Sequence, residues 1–421
     1  MHPKDTLRQE QVPVAAGAVP ERLSAWLVET FIPAWVARAW QPGLQGYVEK
    51  VSWPDGAAVG SARHSTMVTG RLVYTFSLCH VLGGAAPCLA AAAHGVDVLL
   101  GACRLPDGGF AHLLEADGSV ADARGDLYDL AFVLLGLGGY VAASGCRDLL
   151  EITEEIGSHL DLNHADPLGG YREKGADGGP RRQFPQMHLF EAFQLLARLS
   201  PNQGWERRAD AILDLVEHRL VGADGGIDEW YDAEWRPGET GHAVEREVGH
   251  QFEWSWLLYR HSWSAGVPRA MVLADKVYGY GRVAMRPAAG TTIGPLSNRI
   301  DAAGRALDAT QPMWPLAELL RAAVAAGVAG RSGDGGETAE AVLRALFAHY
   351  IDRDSGLWIN ELGLQANCVH RIVPVRVLYH LIPAFAAFAR ERESAFRIRN
   401  PILDRYDNRP KGDTTATMGN E

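Results

Sequence analysis

Three histidines stand in apolar helical surroundings where packing alone does not call for them. In "VGHQFEWSW" (248–256), His250 and Glu253 lie three residues apart within a tryptophan-rich stretch. "MHLFEAFQLL" (187–196) repeats the interval with His188 and Glu191, and "VLYHLIPAF" (377–385) brings His380 near the end of the chain. Residues three apart on a helix share a face, so each His–Glu pair can meet. A carboxylate beside an imidazole raises its basicity, fixes its tautomer and stabilises the imidazolium it forms on taking a proton. The pattern therefore points to general acid–base work, with Glu253 expected to keep His250 basic. A lone H-x-x-E is commonplace and usually structural. Two copies, with a third histidine far along the chain, are better explained by helices that aim them at one axis.

Further polar groups stand in helical patterns. Arg71 in "VTGRLVYTF" opens a helical run, where its guanidinium could hydrogen-bond ligand hydroxyls. Tyr128 in "DLYDLAF" could put its hydroxyl on an inner face. Glu318 follows Trp314-Pro315, a good helix start with proline in the first turn. Trp254 and Trp256 would pack around His250 or stack on a flat ligand face, and Gly249 would let backbone approach a ligand. No metal is expected: H-E-x-x-H is absent, and di-iron bundles use the reverse Glu-x-x-His order. Nor is there a G-x-S-x-G elbow, a phosphate-binding G-x-x-x-x-G-K-[ST] loop or a dinucleotide fingerprint, so no cofactor is expected.

The elements that must position these residues recur. Glycine turns followed by short β-prone stretches appear as "GLQGYVEKV" (43–51), "PDGGFAHLL" (106–114), "PLGGYREK" (167–174), "ADGGIDEWY" (223–231) and "DSGLWINEL" (354–362). Their spacing is about 60 residues, the mark of a repeat architecture. The last gap is roughly double, as if "GYGRVAMRPAAGTTIG" (279–294) were a degenerate copy. Between the turns, apolar residues recur at i, i+3, i+4 and i+7. Such runs include 72–82, 127–140, 187–199, 205–220, 252–262, 271–280, 314–324, 339–350 and 375–389. Six helical hairpins account for the chain, and closing them into a ring buries faces that an open stack leaves exposed. The expected fold is all-α, an (α/α)6 toroid with short β-hairpins at one mouth. A polar arm (1–20), a single barrel domain (21–400) and a polar tail (401–421) are expected, with 326–340 as a loop between helices.

Composition sets the context. The 421 residues carry a net charge of −11, with 47% hydrophobic and 22% charged residues. No basic block interleaves with aromatics, which argues against nucleic acid, and the acidic balance argues against anionic membrane surfaces. The start of the chain is too polar for a signal peptide, and the uncharged run 130–146 reads as too short and glycine-rich to span a bilayer. Five cysteines without C-x-x-C spacing suit a reducing compartment. A cytoplasmic monomer or homodimer acting on a small molecule is expected.

Seven segments together carry a family resemblance: "VTGRLVYTFSL", "DLYDLAFVLLGL", "PQMHLFEAFQLL", "GGIDEWYDAEWRP", "VGHQFEWSWLL", "MWPLAELLRA" and "VRVLYHLIPAF". In order and spacing the chain resembles the N-acylglucosamine 2-epimerase superfamily over residues 25–395, and most of all its mannose isomerase and sulfoquinovose isomerase branch. The resemblance implies an (α/α)6 barrel and cofactor-free chemistry at carbon 2 of a reducing sugar. It implies acid–base roles for His250 and His380, supported by Glu253. It also implies pocket positions for Arg71, His188, Tyr128, Trp314 and Glu318, beside Trp254 and Glu191. The expected reaction is isomerisation of an unphosphorylated aldose to its ketose, D-mannose to D-fructose, through a cis-enediolate. His380 would assist ring opening and His250 would move the carbon-2 proton. A 2-epimerase is the alternative, followed by a glycoside hydrolase using Glu253, Glu318, Asp228 or Glu229, and by a non-catalytic sugar-binding toroid. Two departures from the family pattern stand out: Phe184-Pro185-Gln186 replaces Asn-Pro-His, and Val248 replaces a proline.

Overall fold

The computed structural model describes residues 17–403 apart from 42, 61–62, 85, 174–178, 239–243, 286–292, 294–295, 331–332, 334, 364–366, 395, 397, 399 and 401. Twelve helices alternate in depth among the described residues. α1 spans 23–39 with a π turn at Leu27–Phe31, and is followed by α2 (Thr66–Val81), α3 (87–103) and α4 (Leu127–Ser144). The middle of the chain forms α5 (Leu149–Asn163), α6 (Gln183–Leu199), α7 (205–220) and α8 (Val248–Ala265). The rest forms α9 (Pro268–Ala284), α10 (Trp314–Val328), α11 (Gly335–His349) and α12 (Leu378–Arg392).

The even-numbered helices are apolar around most of their circumference, which is the pattern of a helix enclosed on every side. In α4, Leu127, Leu130, Ala131, Phe132, Val133, Leu134 and Leu135 are all buried. Asp126 caps this helix by accepting from the Tyr128 N–H at 2.7 Å, and Gly145 ends it in the left-handed region at φ +77°. The odd-numbered helices are amphipathic instead. α7 buries Trp205, Ala209, Ile212, Leu213, Val216 and Leu220, one stripe at helical spacing, and exposes its charged residues. The stretch 130–146 belongs to α4, which is long enough to cross a membrane; it is an inner helix of the ring, so burial accounts for its apolar character.

Closure follows from which helices touch. α2, α4, α6, α8, α10 and α12 pack side by side, and α12 returns to α2. Each packs on the outer helix that follows it, and α12 packs on α1, so the two ends of the chain make the sixth hairpin. Short antiparallel strands stitch the repeats together at one mouth. Arg63–Ser65 pairs with Leu113–Glu115, Arg181–Arg182 with Trp230–Tyr231, Arg246–Glu247 with Arg299–Ile300, and Thr310–Pro312 with Glu361–Gly363. Lys50–Ser52 with Ile372–Pro374 joins the first repeat to the last. The fold is the all-α (α/α)6 toroid.

Several details differ from the sequence-based expectation. Gly43 makes the expected turn, at φ +93°, and a further glycine turn follows at Gly56, φ +69°, closed by a bridge between Val51 and Ala58. The proposed degenerate copy begins inside α9, and most of its remainder lies outside the described residues. The loop placed at 326–340 shrinks to 329–334, because α10 runs to Val328 and α11 starts at Gly335. The helix ends it joins, Val328 and Gly335, lie away from the hairpin mouth where α10 starts, and 331–332 and 334 lie outside the described residues. Residues 1–16 and 404–421 of the expected arm and tail lie outside the described residues, while Ile402 and Leu403 are buried and extend the core past 400.

Candidate active site

Each inner helix starts at the hairpin mouth and gives that mouth a side chain. Arg71 (α2), Tyr128 (α4), His188 (α6), His250 and Glu253 (α8), Trp314 (α10) and His380 (α12) line one cavity of about 570 Å³. That volume suits a small organic ligand, and the six helix N-termini around it favour negative charge. His250 and His380 both lie 5.2 Å, ring to ring, from Trp314, so a ligand resting on the indole is close to both imidazoles.

The start of α8 is fixed from a distance. The Val248 N–H donates to the Asn298 carbonyl at 2.8 Å and the Gly249 N–H to Asn298 Oδ1 at 3.0 Å, which satisfies donors that a helix leaves orphaned. The proline usual in the family at 248 has no such N–H. A Cβ on Gly249 would come within 2.4 Å of the Trp314 ring, so this glycine makes room for the indole rather than for a ligand.

His250 does not pair with Glu253. Its Nδ1 lies 3.0 Å from both oxygens of Glu229, which comes from the hairpin of the preceding repeat, and 3.7 Å from Glu247. Glu253 sits one turn deeper, fully buried, with Oε1 3.4 Å from the Tyr379 hydroxyl and 3.9 Å from His188 Nδ1. Shared helix face was the right inference and partnership the wrong one, because one turn along α8 separates the mouth from the barrel interior. Glu229 is itself oriented: Gln183 Nε2 donates to it at 2.9 Å, and the Trp254 indole N–H donates to Gln183 Oε1 at 2.5 Å. The amide of Gln183 is thus held with its donor toward Glu229 and His250. Burial alone would lower His250, but Glu229 and Glu247 outweigh it and push the imidazole up to about 10.

His380 differs. Its Nδ1 lies 2.7 Å from Glu318 Oε1, which leaves Nε2 as the nitrogen for a ligand. Burial, with the charges of Arg71, Arg321 and His250, holds it well below the ordinary histidine value. Burial also pushes Glu318 up to about 7, against the pull of Arg321. His188 is pushed down to about 3, chiefly by burial. Its expected pairing with Glu191 forms at 3.8 Å, with the Tyr379 hydroxyl donating to Glu191 between them. Two of the three histidines are therefore neutral at pH 7, and one is charged.

Glu191, Glu318 and Trp254 do not line the cavity. They form its supporting layer with Arg260 and Arg321, whose guanidinium stands 3.4 Å over the Trp256 ring. Arg321 faces Glu318 at 3.4 Å and Glu191 at 3.9 Å. Donor atoms of His188, Glu191 and Glu253, and of Glu253, Glu318 and His380, lie within 4.8 Å of one another. A cation could be held by such donors, yet Tyr379 stands within the first set and Arg321 supplies positive charge to both. Burial, with the like charges of Glu318 and Glu191, holds Glu253 well above the carboxylate range and so favours its protonated form, and its Oε2 has no hydrogen-bond partner among the described residues. Arg71 donates to the Tyr128 hydroxyl and lies 4.4 Å over Phe132.

Sequence reading missed Gln183, Glu247 and Tyr379, and weighed Glu229 only as a hydrolase carboxylate. The "YH" dipeptide carried a signal for Tyr379; nothing local marked the others. Of the departures at 184–186, Phe184 lines the cavity, whereas Gln186 exchanges bonds with the Tyr171 backbone at 2.9 and 2.7 Å and pins a glycine turn. Asp228 is committed to Arg246 at 2.6 Å.

A closed α/α toroid with one polar, histidine-flanked pocket defines a class of small-molecule enzyme fold. The model of the N-acylglucosamine 2-epimerase (GlcNAc 2-epimerase) family matches residues 46–384, and the chain belongs to that family. It is 28% identical to a mannose-6-phosphate isomerase of Rhizobium meliloti (strain 1021) over 377 residues, 86% of this chain and 94% of the relative. It is 26% identical to a D-mannose isomerase of Thermobifida fusca over 335 residues, 74% and 81% of the two chains. A crystal structure of a D-mannose isomerase superposes with a TM-score of 0.79 at 19% identity, covering 89% of this chain and 100% of that one. The cellobiose 2-epimerase of Spirochaeta thermophila DSM 6192 gives 0.77 at 20% identity, covering 89% and 96%. The chain is an enzyme of the sugar isomerase and epimerase family, similar to mannose isomerases.

Proposed function

We propose that the protein isomerises an aldose to its ketose, with D-mannose and D-fructose as the reference pair, by histidine-mediated proton transfer through a cis-enediolate. The observation that carries this reading is the pair of imidazoles flanking Trp314, one charged and one neutral. The two sequence relatives are named for mannose and for its 6-phosphate, which favours the manno configuration and leaves the far end of the sugar open.

The proton states support a balanced sequence. His250 enters protonated and gives its proton to the ring oxygen, while neutral His380 takes the anomeric hydroxyl proton; the ring opens to the aldehyde. His250 is now neutral and takes the carbon-2 proton. The charge that develops on oxygen 1 is met by protonated His380 and by Arg71, the kind of preorganised stabilisation that lowers such barriers. His380 gives its proton to oxygen 1 and takes that of oxygen 2, and His250 returns its proton to carbon 1. Ring closure restores both. Sequence reading gave ring opening to His380 alone; the charge on His250 favours sharing it. Delivery of the proton to the opposite face of carbon 2 by His380 would give the 2-epimer instead.

The test is incubation with D-mannose in heavy water, with products and label followed by NMR. Ketose carrying deuterium at carbon 1 supports isomerisation, labelled 2-epimer supports epimerisation, and absence of any exchange over a sugar panel refutes both. General acid–base help is worth about 10²–10⁴-fold per group, so His250→Ala and His380→Ala should each lose at least about a hundredfold in turnover with unchanged helical content by circular dichroism.

A further inference from the structure

Three guanidiniums line the cavity, and two are engaged. Arg71 donates to Tyr128, and Arg299 is held by Glu245 at 2.6 Å and by Asp308 at 3.1 Å. Arg376 is solvent-reached and makes no hydrogen bond or ion pair among the described residues. It sits on the 3-10 turn Val375–Val377, which leads into α12 and packs on α2, the helix that carries Arg71. Burial and the like charge of Arg71 oppose its protonation, while the carboxylates acting on it, Glu49 and Glu361, reach no ion-pair distance. A solvent-facing guanidinium on the cavity wall with no carboxylate at ion-pair distance can take an anion that arrives with the ligand.

Placement says which end of the ligand the anion occupies. Arg376 precedes His380 by four residues, about one helical turn, or ~5.4 Å, toward the mouth. A hexose held with carbons 1 and 2 between His250 and His380 and its far end toward the mouth would meet Arg376 there. We infer that Arg376 is a specificity-determining residue that reads an anionic group, a phosphate, sulfonate or carboxylate, at the end of the hexose remote from carbon 1. This rests on the sugar-isomerase reading and replaces one part of the sequence-based expectation, that the hexose is unphosphorylated.

The test compares the full-length protein with Arg376→Gln and Arg376→Lys on D-mannose, D-mannose 6-phosphate, D-mannuronate and a 6-deoxy-6-sulfohexose, with kcat and KM separated. A hydrogen bond to a charged group is worth about 1.5–3 kcal/mol, or about 10- to 100-fold. At least one anionic sugar should exceed D-mannose in kcat/KM by that factor. The ratio should collapse in Arg376→Gln, mostly through KM, and be partly kept in Arg376→Lys. The sugar preferred among the three anions identifies the group. Preference for D-mannose over all of them, or a preference that survives Arg376→Gln, overturns the inference. If no sugar turns over, the isomerase reading fails separately. Calorimetric binding of the same panel then decides: no anionic sugar binding more tightly than D-mannose overturns the role of Arg376.

Discussion

Replacing Glu229 by glutamine tests the charge arrangement at the carboxylate closest to His250. The substitution keeps shape and removes the carboxylate that lies 3.0 Å from His250 Nδ1. A hydrogen bond to a charged group contributes about 1.5–3 kcal/mol, and one pKa unit corresponds to about 1.36 kcal/mol, so His250 should fall by about 1–2 units. Glu247, 3.7 Å away, remains and limits the fall. The sign follows from the proposed role. The free enzyme needs His250 protonated, so kcat/KM drops as pH rises through its value, near 10 in the wild type. In Glu229→Gln that limb should move down to about pH 8–9 on the same arithmetic.

The assay is kcat/KM for aldose-to-ketose conversion from acid to strongly alkaline pH, paired with NMR titration of the His250 ring in labelled protein. Glu253→Gln is the control that separates structure from helical spacing. Burial favours the protonated form of Glu253, which glutamine reproduces, so the limb should shift less than in Glu229→Gln. An alkaline limb unmoved in Glu229→Gln, a wild-type His250 that titrates near its ordinary value, or a larger shift in Glu253→Gln refutes the assignment.

Gly249→Ala should weaken sugar binding by displacing Trp314, whose ring stands 2.4 Å from the added Cβ, and KM should rise with little loss of thermal stability. Trp254→Phe removes the indole donor to Gln183 Oε1. Its amide can then turn, and the alkaline limb should move in the direction of Glu229→Gln by a smaller amount, read from the same pH profile.

The fold was legible because its signals are local and repeated: glycine turns at a fixed period and apolar residues at helical spacing. The three histidines were legible because each breaks an apolar pattern, and the structure places all three on one cavity. Glu229 was not. It lies 21 residues from His250, just before the strand Trp230–Tyr231 that pairs with Arg181–Arg182, and that pairing becomes visible only once the chain is folded. Tyr379 and His380 show the limit from the other side. Neighbours on a helix point about 100° apart, so one reaches into the supporting layer of Glu191 and Glu253 while the other lines the pocket. Trp254 was expected to pack around His250 or to stack on a ligand; it is fully buried, does not line the cavity, and holds Gln183.

Of three imidazoles of one residue type, two are neutral and one is charged, and the toroid explains why. Carboxylates come to His250 from the hairpins at the rim, where Glu229 precedes the strand Trp230–Tyr231 and Glu247 ends the strand Arg246–Glu247. His380 and His188 face inward-pointing charges of the helices themselves, Arg71 among them, and lose to burial. Pairs of titratable groups whose surroundings drive them apart mark the acid and the base. Here the division runs between rim and barrel. It follows that hairpin substitutions should act on the acid and inner-helix substitutions on the base. Arg71→Gln, which removes a positive charge beside His380, should therefore raise the acid limb of kcat/KM and leave the alkaline limb near its wild-type position. Movement of both limbs together would mean that the two imidazoles titrate as one coupled unit.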